Sequence, residues 1–421
     1  MQEVTHVRHS RCRCCEAETL TPVLDLGEMP LAGGFLKEDE IPGEQQFPLV
    51  LQFCRTCSLV QVNDAISGTV LFQRYFYFSS AIGTLVEHFA NLAAEVKSRF
   101  LDGKTDPFVT EIGSNDGVLL RPLRELGIRA LGVDPAENVV EVAKAAGLDV
   151  VNDFFGEQVA RKIRERHGPA DVILSSYSFA HIDTMIDVIR GIKALLKEDG
   201  VFICEVHYLG DMVEELQYDM VYHEHFNYYS LAALEYFFAR HDMEVFDVLR
   251  LPLRTGTIRC YVRHRGGRPE PVSDAVEEVR AYEDQLRLAR LDTLLKWGER
   301  VRGTRAEMLG LLGELKAKGK RVIGYGASGR ASTIMNFVGL DRRYLDCVVD
   351  DAPAKHGYLT PGSHVPIKSW AEAAGDGRPD YALVFAWPFI EEVKRRRADY
   401  LEEGGQFIVP LPQVHVVGAG A

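Results

Sequence analysis

The chain has 421 residues, which is too long for one ordinary hydrophobic core, so two or three domains are expected. Its composition, 46% hydrophobic and 26% charged, is that of a folded protein, and its net charge of −13 argues against sequence-independent binding to DNA or RNA. The amino-terminal segment has no apolar run, and no stretch approaches the roughly 20 apolar residues of a membrane span. We therefore expect no signal peptide, no membrane segment and a cytoplasmic location.

Five of the eight cysteines fall within the first 57 residues, and four of them form two CxxC pairs. The first pair is Cys12 and Cys15, and the second is Cys54 and Cys57. Because thiols stay reduced in the cytoplasm, and two CxxC turns let four thiolates converge on one ion, the pairs favour a zinc site over disulfides. Such a site has no open position, so we predict a structural role, with Cys14 as the odd thiol. Unligated cysteines are the alternative.

From residue 71 to about 105 the apolar residues recur at helical spacing. Strands and amphipathic helices then alternate up to about residue 246. This alternation is typical of a doubly wound parallel sheet. The predicted strands are 108–112, 129–133, 148–151, 171–176 and 200–206.

A charged helical region extends from residue 274 to about 318. We interpret it as one or two amphipathic helices that join domains, with a dimerising coiled coil as the alternative. Strands predicted at 321–325, 347–349 and 381–385 indicate a second α/β unit. The resulting domain prediction is 1–70, 71–250 and 251–421.

A glycine-rich turn begins at Glu111 and ends at Gly117, directly after the first predicted strand. Glycines such as Gly113 let the backbone pass close beneath a ligand, and the helix that follows points its amino end at the site. A phosphate site would lack acids here. Glu111 and Asp116 instead suit a cationic ligand that carries an amino-acid moiety.

Two later strand ends add groups that suit an adenosine. Asp134 lies 17 residues beyond Gly117 and could accept both hydroxyls of a ribose. Asp153 and Phe154 follow the third strand, where an acid and an aromatic ring could hold an adenine. The three elements in this order predict an adenosine-containing cofactor, with a sheet of ordinary turns as the alternative.

A histidine-rich segment begins at Tyr222. If it is extended, His223 and His225 share one face, and Tyr222 and Glu224 share the other. The segment could be a second metal site, a structural hydrogen-bonded cluster or an acid–base site. We favour the acid–base site, because the segment follows the fifth strand at the carboxyl edge of the sheet and an imidazole can act as a base at neutral pH. His181, at the same edge, could be packed or catalytic.

A GxGxxG turn that contains Gly326 and Gly329 follows a later strand, and Asp350 comes 21 residues after Gly329. Taken alone, this pattern indicates dinucleotide binding. A second cofactor would be unusual, however, and Ser328 and Arg330 at a helix amino end would also suit the diphosphate of a nucleotide-sugar. Glycines needed only for packing are the third alternative.

The two CxxC pairs, the EIGSNDG turn and the YHEHF segment together closely resemble the sugar C-methyltransferases of antibiotic deoxysugar pathways. The resemblance covers essentially the whole chain and is nearest to members that methylate C-3 of a dTDP-linked 3-amino-4-keto sugar on the route to tetronitrose. It implies a small zinc-binding domain, a central Rossmann-like domain that binds S-adenosylmethionine (SAM), and a carboxyl-terminal Rossmann-like domain. The expected partner is a dTDP-linked keto-sugar, without nucleic acid or membrane, for a monomer or, alternatively, a dimer.

The resemblance also implies roles for individual residues, with His225 as the base and Tyr222, Glu224 and His181 lining the sugar pocket. A tyrosine is expected at position 76, and Phe76 would remove a phenol contact with the sugar. The residues predicted to bind the cofactor are Glu111, Gly113, Asn115, Asp116, Gly117, Asp134, Asp153, Phe154 and Ser175. Those predicted to bind the substrate are Phe76, Tyr77, Phe78, Ser80, Gly326, Ser328, Gly329 and Arg330.

The chemistry of such a substrate suggests a mechanism. A carbonyl at C-4 acidifies the hydrogen on C-3, so His225 could form an enolate whose oxygen accepts a hydrogen bond from Tyr222 or a water. Three other functions remain open at this point: a nicotinamide oxidoreductase, an N- or O-methyltransferase acting on the same sugar, and a non-catalytic zinc-dependent assembly protein.

Overall fold

The strands predicted between residues 108 and 206 form the centre of a seven-stranded sheet in the computed structural model, which describes residues 6–72, 77–267 and 270–418. Five strands are parallel, and an antiparallel hairpin extends one edge. The chain order reverses between the first and fourth strands, which is where doubly wound sheets bind ligands. In spatial order the strands are Met243–Leu251, Thr257–His264, Leu196–His207, Ala170–Ser176, Phe108–Ile112, Arg129–Asp134 and Val150–Asn152.

Both faces of this sheet are covered by apolar packing. Adjacent residues of the first strand point to opposite faces, so Phe108 and Val109 belong to two different core clusters. The helices are amphipathic: Met185–Leu195, for example, buries residues three or four positions apart. The helices of this region are Gly83–Val96, Leu120–Glu125, Glu137–Ala145, Glu157–His167, Met185–Leu195, Leu209–Glu214 and Leu231–Ala239.

The edge hairpin crosses residue 250, where the sequence suggested a domain boundary. Thr257–His264 pairs antiparallel with Leu196–His207 and with Met243–Leu251, so this strand belongs to the central sheet by its hydrogen bonds. We therefore propose that the central domain ends after His264.

The cysteine-rich domain contains a four-stranded antiparallel sheet, whose strands in order are Asn227–Tyr228, Val60–Val62, Gln46–Cys54 and Leu20–Pro30. The first of these strands follows the histidine-rich segment of the central domain. The pairing of Asn227–Tyr228 with Val60–Val62 therefore ties that segment to the cysteine-rich domain. A short ladder of His6–Arg8 with Asp64–Ile66 and the helix Gly68–Phe72 complete the domain.

The carboxyl-terminal domain is a second doubly wound unit. Its six strands in order are Ile367–Lys368, Val348–Val349, Val322–Tyr325, Tyr381–Val384, Gln406–Val409 and His415–Val417, all parallel except the last. Its helices are Gly329–Val338, Trp370–Gly375, Ile390–Arg396 and Ala398–Glu402. With the cysteine-rich and central domains, it confirms the predicted three-part α/β architecture.

The charged region before this domain forms two helices, Asp274–Leu286 and Leu291–Ala317. The apolar stripe of the longer helix, including Leu294 and Leu312, packs in one cluster with Val23 and Leu24 of the cysteine-rich domain. Packing against another domain of the same chain is what we expect of helices that join domains.

None of the helices in the described ranges is both long enough and apolar enough to cross a membrane.

Candidate active site

The four predicted cysteine ligands lie together in the structure. The Sγ atoms of Cys12, Cys15, Cys54 and Cys57 are all within 4.8 Å of one another, and the four side chains are buried. Two of the Sγ–Sγ distances are 3.5 Å, near the roughly 3.8 Å expected for thiolates about 2.3 Å from one zinc ion. Within the described residues, no other His, Cys, Asp and Glu side chains converge in this way. The donor set therefore fits a closed, structural zinc site, with Cys14 buried outside it.

A cavity of about 630 Å³ opens at the reversal point of the central sheet. Its walls are the first glycine-rich turn, the ends of the second and fourth strands, and residues 65–69 of the cysteine-rich domain. This volume is in the range of small-molecule and cofactor sites. The predicted residues that line it are Tyr77, Glu111, Gly113, Asn115, Asp134, Phe154 and His181.

The remaining residues predicted for the cofactor, Asp116, Gly117, Asp153 and Ser175, are not among the lining residues. Asp116 and Gly117 belong to the turn itself, and Ser175 lies in the fourth strand beside it. All three support the conformation of the turn. Asp116 accepts a hydrogen bond from the Ser80 hydroxyl at 2.5 Å, and the Oγ atom of Ser175 lies 2.7 Å from that of Ser178. Gly117 leaves room for Leu148, because a Cβ there would lie 2.2 Å from the leucine Cδ1.

Gly113 is required by both its conformation and its surroundings. Its φ is +73°, in the left-handed region, and a Cβ built on it would lie 2.4 Å from the Cβ of Ser178. The Ser178 hydroxyl donates to the carbonyl of Ile112 at 2.6 Å, so the serine cannot move away freely. The loop after the fourth strand thus closes on the glycine turn at this point.

Glu111 gives the cavity a strong preference for cations. Its side chain is 2% exposed, and Oε2 has no hydrogen-bond partner among the described residues. Burial, followed by the nearby carboxylates of Asp134, Asp116 and Glu205, raises the pKa of Glu111 well above its ordinary value. An ammonium group would relieve both the repulsion and the missing hydrogen bond, and a sulfonium group would relieve the repulsion. The cavity therefore fits SAM, which carries both groups.

Asp134 occupies the end of the second strand and is also buried. It accepts backbone N–H bonds from Asn115 at 2.8 Å and from Ala136 at 2.9 Å, which counteract the increase of its pKa by burial. Each carboxylate oxygen can accept more than one hydrogen bond, so Asp134 can still accept hydroxyl groups of a ribose. Phe154, 47% exposed, presents an apolar ring to the same cavity.

Residues 77–79, which precede the helix Gly83–Val96, are hydrogen-bonded to the first glycine-rich turn. The Asn115 amide donates to the carbonyl of Tyr77 at 3.0 Å and accepts the backbone N–H of Ser79 at 3.0 Å. Tyr77 lines the cavity, and Phe78 is half-buried. Phe76 lies outside the described residues.

The hydrogen bonds of His225 define its tautomer. Nδ1 lies 2.8 Å from the carbonyl oxygen of Met220, which can only accept, so the ring proton is on Nδ1. In the neutral ring Nε2 then carries the lone pair and accepts the hydroxyl proton of Tyr222 at 2.9 Å. His225 is only 4% exposed. His225 is thus a buried imidazole that donates from Nδ1 and has its second nitrogen paired to a phenol.

Two other histidines lie beside His225. Its ring centroid is 4.8 Å from that of His181 and 5.5 Å from that of His207. His181 lines the cavity, as does Tyr177, whose ring centroid is 5.3 Å from that of His207. His207 was not predicted, although its place at the end of the fifth strand, at the carboxyl edge of the sheet, was a usable signal.

The other two members of the histidine-rich segment have different surroundings. His223 donates from Nε2 to the carbonyl of Pro48 and packs edge-on against Phe47, away from His225. This geometry gives no support to a metal site built from the two histidines. Burial raises the pKa of Glu224 to about 7, and its Oε1 would lie 3.5 Å from a Cβ built on Gly33.

The second glycine-rich turn has no comparable open acid. Asp350 accepts backbone N–H bonds from Ala327 at 2.8 Å and Ala352 at 2.9 Å, and its Oδ2 is paired with Lys355 at 3.1 Å. Asp134 accepts two equivalent backbone bonds, so what sets Asp350 apart is its ion pair with Lys355, which competes with ribose hydroxyls for the carboxylate. Ser328 caps the following helix by accepting the N–H of Ala331.

Arg330, predicted to bind a diphosphate, pairs with a carboxylate of the central domain. Its Nε and Nη2 donate to the two oxygens of Asp219 at 2.7 and 3.1 Å. At the start of the same helix, a Cβ built on Gly329 would be 3.5 Å from the Tyr222 ring and 3.5 Å from the Cβ of Ala32. Elements of all three domains thus meet next to Tyr222.

Three family profiles match the chain in order: a zinc binding domain over 12–72, a methyltransferase domain over 85–248 and a C-methyltransferase C-terminal domain over 252–412. The C-methyltransferase NovU of Streptomyces niveus is 36% identical over 410 residues, which cover 97% of each chain. The ubiquinone biosynthesis O-methyltransferase of Ruegeria sp. (strain TM1040) is 30% identical over 112 residues, 24% of this chain and 44% of that protein. A SAM-dependent methyltransferase structure from Anabaena variabilis is 16% identical, covers 41% of this chain and 84% of its own, and has a TM-score of 0.33.

Proposed function

Since this chain belongs to the zinc-binding, SAM-dependent C-methyltransferase family of NovU, we propose that it methylates C-3 of a dTDP-linked 3-amino-4-keto sugar in antibiotic deoxysugar biosynthesis. Methyl transfer to carbon follows from the family. The position on the sugar, the nucleotide and the enolate mechanism are the proposal. The arrangement of side chains around His225 supports the enolate mechanism, whereas the sugar position and the nucleotide rest on the resemblance of the sequence motifs.

The observation that carries the proposal is the tautomer of His225. Carbon, unlike an amine or hydroxyl group, has no lone pair to accept a methyl group, so its proton must first be removed. Nε2 offers a basic lone pair in a buried site, because Nδ1 donates to Met220. A neutral imidazole is the side chain best suited to take a proton near neutral pH.

The cofactor would be held by the cavity residues. Glu111 would accept the ammonium group, Asp134 the ribose hydroxyls, and Gly113 and Asn115 would shape the turn beneath it. Asp116, Gly117 and Ser175 would support that turn, and Asp153 and Phe154 would border the adenine. When bound, SAM supplies an electrophilic methyl group on a positively charged sulfur.

Proton removal would proceed through the His225–Tyr222 pair. The carbonyl at C-4 acidifies the C-3 hydrogen, and Nε2 takes that proton as the electron pair of the C–H bond moves into the enolate. The Tyr222 hydroxyl, now released from Nε2, can turn its proton toward the enolate oxygen, while its own oxygen accepts the new Nε2–H. The C-3 carbon of the enolate would then bond to the methyl group as the methyl–sulfur bond breaks, which would leave S-adenosylhomocysteine and restore the C-4 carbonyl. His225 would return its proton to solvent.

The sugar nucleotide would occupy the junction of the three domains. His181 and Glu224 would line the sugar pocket, with Tyr77, Phe78 and Ser80 beside it. The turn containing Gly326, Ser328 and Gly329 would accept the diphosphate at its backbone. The proximity of Gly329 to both Tyr222 and Ala32 supports this placement. Arg330 would donate to the diphosphate from the guanidinium N–H groups that do not bind Asp219.

The test combines product analysis with isotope exchange. The wild-type protein is incubated with SAM and a panel of dTDP-linked 4-keto sugars that differ in their C-3 substituent, and products are identified by mass spectrometry and NMR. In D₂O without SAM, we expect deuterium to enter C-3 of the accepted sugar. Methylation without deuterium entry would indicate an N- or O-methyltransferase, and methylation at another carbon would contradict the C-3 assignment.

A further inference from the structure

The second glycine-rich turn lies at the reversal point of the carboxyl-terminal sheet, where a doubly wound domain usually binds a ligand. Here residues 218–222 of the central domain pack against that position. Gly329 approaches Tyr222 at the first turn of the helix Gly329–Val338. Thr333, one turn along, donates its hydroxyl proton to the backbone carbonyl of Val221 at 3.0 Å. The helix therefore holds the segment that leads to His225.

Asp219 is the anchor of this segment. Its side chain is 0% exposed and accepts hydrogen bonds from Arg330 at 2.7 and 3.1 Å and from the indole N–H of Trp387 at 2.8 Å. The guanidinium also lies over the Trp387 ring, 5.1 Å from its centroid. Both partners belong to the carboxyl-terminal domain. A bidentate ion pair that is shielded from water fixes the orientation of the two side chains as well as the distance between them.

The next residue carries the carbonyl that determines the tautomer of His225. Met220 O accepts the Nδ1–H of His225 at 2.8 Å and the hydroxyl of Tyr228 at 3.2 Å. Asp219 and Met220 lie in the single 3-10 turn Tyr218–Met220. The direction of the Met220 carbonyl therefore depends on how Asp219 is held.

We propose that Arg330 and Trp387 are positioning residues for the base. Through Asp219 they hold the Met220 carbonyl, which keeps the ring proton of His225 on Nδ1 and its lone pair on Nε2, beside the Tyr222 hydroxyl. The inference rests on the proposed function in one respect, the role of His225 as the base. It gives the helix that follows the second glycine-rich turn a role in catalysis that requires no second cofactor, in addition to the proposed contact of the turn with the diphosphate.

The first measurement is independent of activity. In protein labelled with 15N in histidine, the ring signals of His225 are identified by their loss in His225→Gln. Their shifts are expected to report a proton on Nδ1 in the wild type. In Arg330→Met, where Asp219 loses its charged partner, and in Trp387→Phe, which removes one N–H, we expect a mixture of tautomers.

The second measurement is kinetic. Arg330→Met is expected to lower both kcat and the rate of deuterium entry at the sugar carbon by about 100-fold, the size of effect that a misplaced catalytic group produces. Trp387→Phe is expected to lower them by about tenfold, since it loses one hydrogen bond. Arg330→Lys should fall between wild type and Arg330→Met. Affinity for S-adenosylhomocysteine should be unchanged in all three, because the cofactor cavity is untouched.

The control is His364→Gln, which removes the ion pair of His364 with Glu44 at 2.6 Å. This pair also joins the carboxyl-terminal domain to another domain but involves none of residues 218–225. We expect the wild-type tautomer and kcat in this variant. The proposal is overturned if Arg330→Met and Trp387→Phe behave like His364→Gln. Should Arg330→Met fail to fold, Trp387→Phe decides alone.

Failure of the proposed function would look different. The wild type would then show the Nδ1–H tautomer but no deuterium entry into any keto-sugar. The tautomer comparison between Trp387→Phe and His364→Gln would still test the positioning role.

Discussion

The two glycine-rich turns occupy equivalent places in two doubly wound sheets, yet their surroundings differ. The turn from Glu111 to Gly117 faces a cavity of about 630 Å³ and contributes a buried carboxylate oxygen that has no hydrogen-bond partner within the described ranges. The turn from Gly324 to Gly329 has its acid, Asp350, bound to Ala327 and Lys355, and its helix is covered by residues 218–222.

A glycine turn therefore determines how closely a ligand or another segment of the protein can approach the backbone. The neighbouring polar groups determine which chemical group binds there. At the first turn an open acid favours a mobile cationic ligand. At the second turn the charged group that arrives is Asp219, which belongs to the protein itself and is met by Arg330. In the proposed mechanism both turns serve one reaction centre: the first through the cofactor, and the second through the substrate diphosphate and the segment that carries His225.

If the turns have these separate tasks, loss of the base should not disturb the cofactor. His225→Ala should lower kcat by about 10² to 10⁴, the usual contribution of a positioned base. Affinity for S-adenosylhomocysteine, measured by calorimetry, should stay at the wild-type value. The matched control is His223→Ala, two residues away, which should retain most of the turnover because His223 faces Pro48. Wild-type turnover by His225→Ala would refute the assignment.

Adding one methyl group to each turn tests the comparison directly. In Gly113→Ala, the Cβ would lie 2.4 Å from Ser178 at a φ of +73°, and overpacking with left-handed backbone together costs about 2 to 5 kcal/mol. This strain destabilises the folded protein, and affinity for S-adenosylhomocysteine falls because the turn must shift from beneath the ligand to relieve it. We expect a loss of about 30-fold, equivalent to about 2 kcal/mol of binding. In Gly329→Ala the new methyl would meet only ordinary contacts at 3.5 Å, so this affinity should not change. Equal losses in both variants would mean that the second turn also contributes to the cofactor site.

Neutralising one acid beside each turn, Glu111 or Asp350, is a milder change than the glycine substitutions. Glu111→Gln removes the charge that would face the ammonium group of the cofactor, and hydrogen bonds to charged groups contribute about 1.5 to 3 kcal/mol. Affinity for S-adenosylhomocysteine should therefore fall by about 10- to 100-fold. Asp350→Asn makes the same chemical change beside the second turn and should leave that affinity as it is. An effect of Asp350→Asn on the cofactor would contradict the division of tasks.

Much of the fold could be predicted because the buried strands are distinct in the sequence. The predicted bounds of Phe108–Ile112 match the observed ones, since Phe108, Val109 and Ile112 put apolar side chains on both faces and Pro107 and Gly113 flank the strand. The edge hairpin was cut at residue 250 because nothing local shows that Thr257–His264 pairs with Leu196–His207. Asn227–Tyr228 is a strand only by virtue of its partner, so no local pattern could predict it.

The candidate site was predictable where chemistry and strand ends coincide. Glu111, Asp134 and His181 lie at or just beyond the carboxyl ends of strands of one sheet and meet at one cavity for that reason. Arg330 and Asp219 are 111 positions apart, and their pairing depends on how the domains dock. No local sequence pattern indicates this pairing.

The weakest expected effect, and the one that probes the open acid most specifically, is the pH dependence of cofactor binding. The pKa of Glu111 is raised by burial and by its neighbouring carboxylates, so the acid holds its proton to higher pH than an exposed glutamate. A bound ammonium group favours the carboxylate, so binding must release that proton. Affinity should therefore increase as the pH rises toward the raised pKa and become constant above it.

Calorimetry of S-adenosylhomocysteine binding between about pH 6 and 8, in buffers of different ionisation enthalpy, counts the protons released. The wild type should release up to one proton per ligand bound. Asp134 also has a raised pKa, so the difference between wild type and Glu111→Gln isolates the contribution of Glu111. If Glu111→Gln releases as many protons as the wild type, the open carboxylate oxygen is not what recognises the cofactor. The contrast between the two turns would then rest on shape alone.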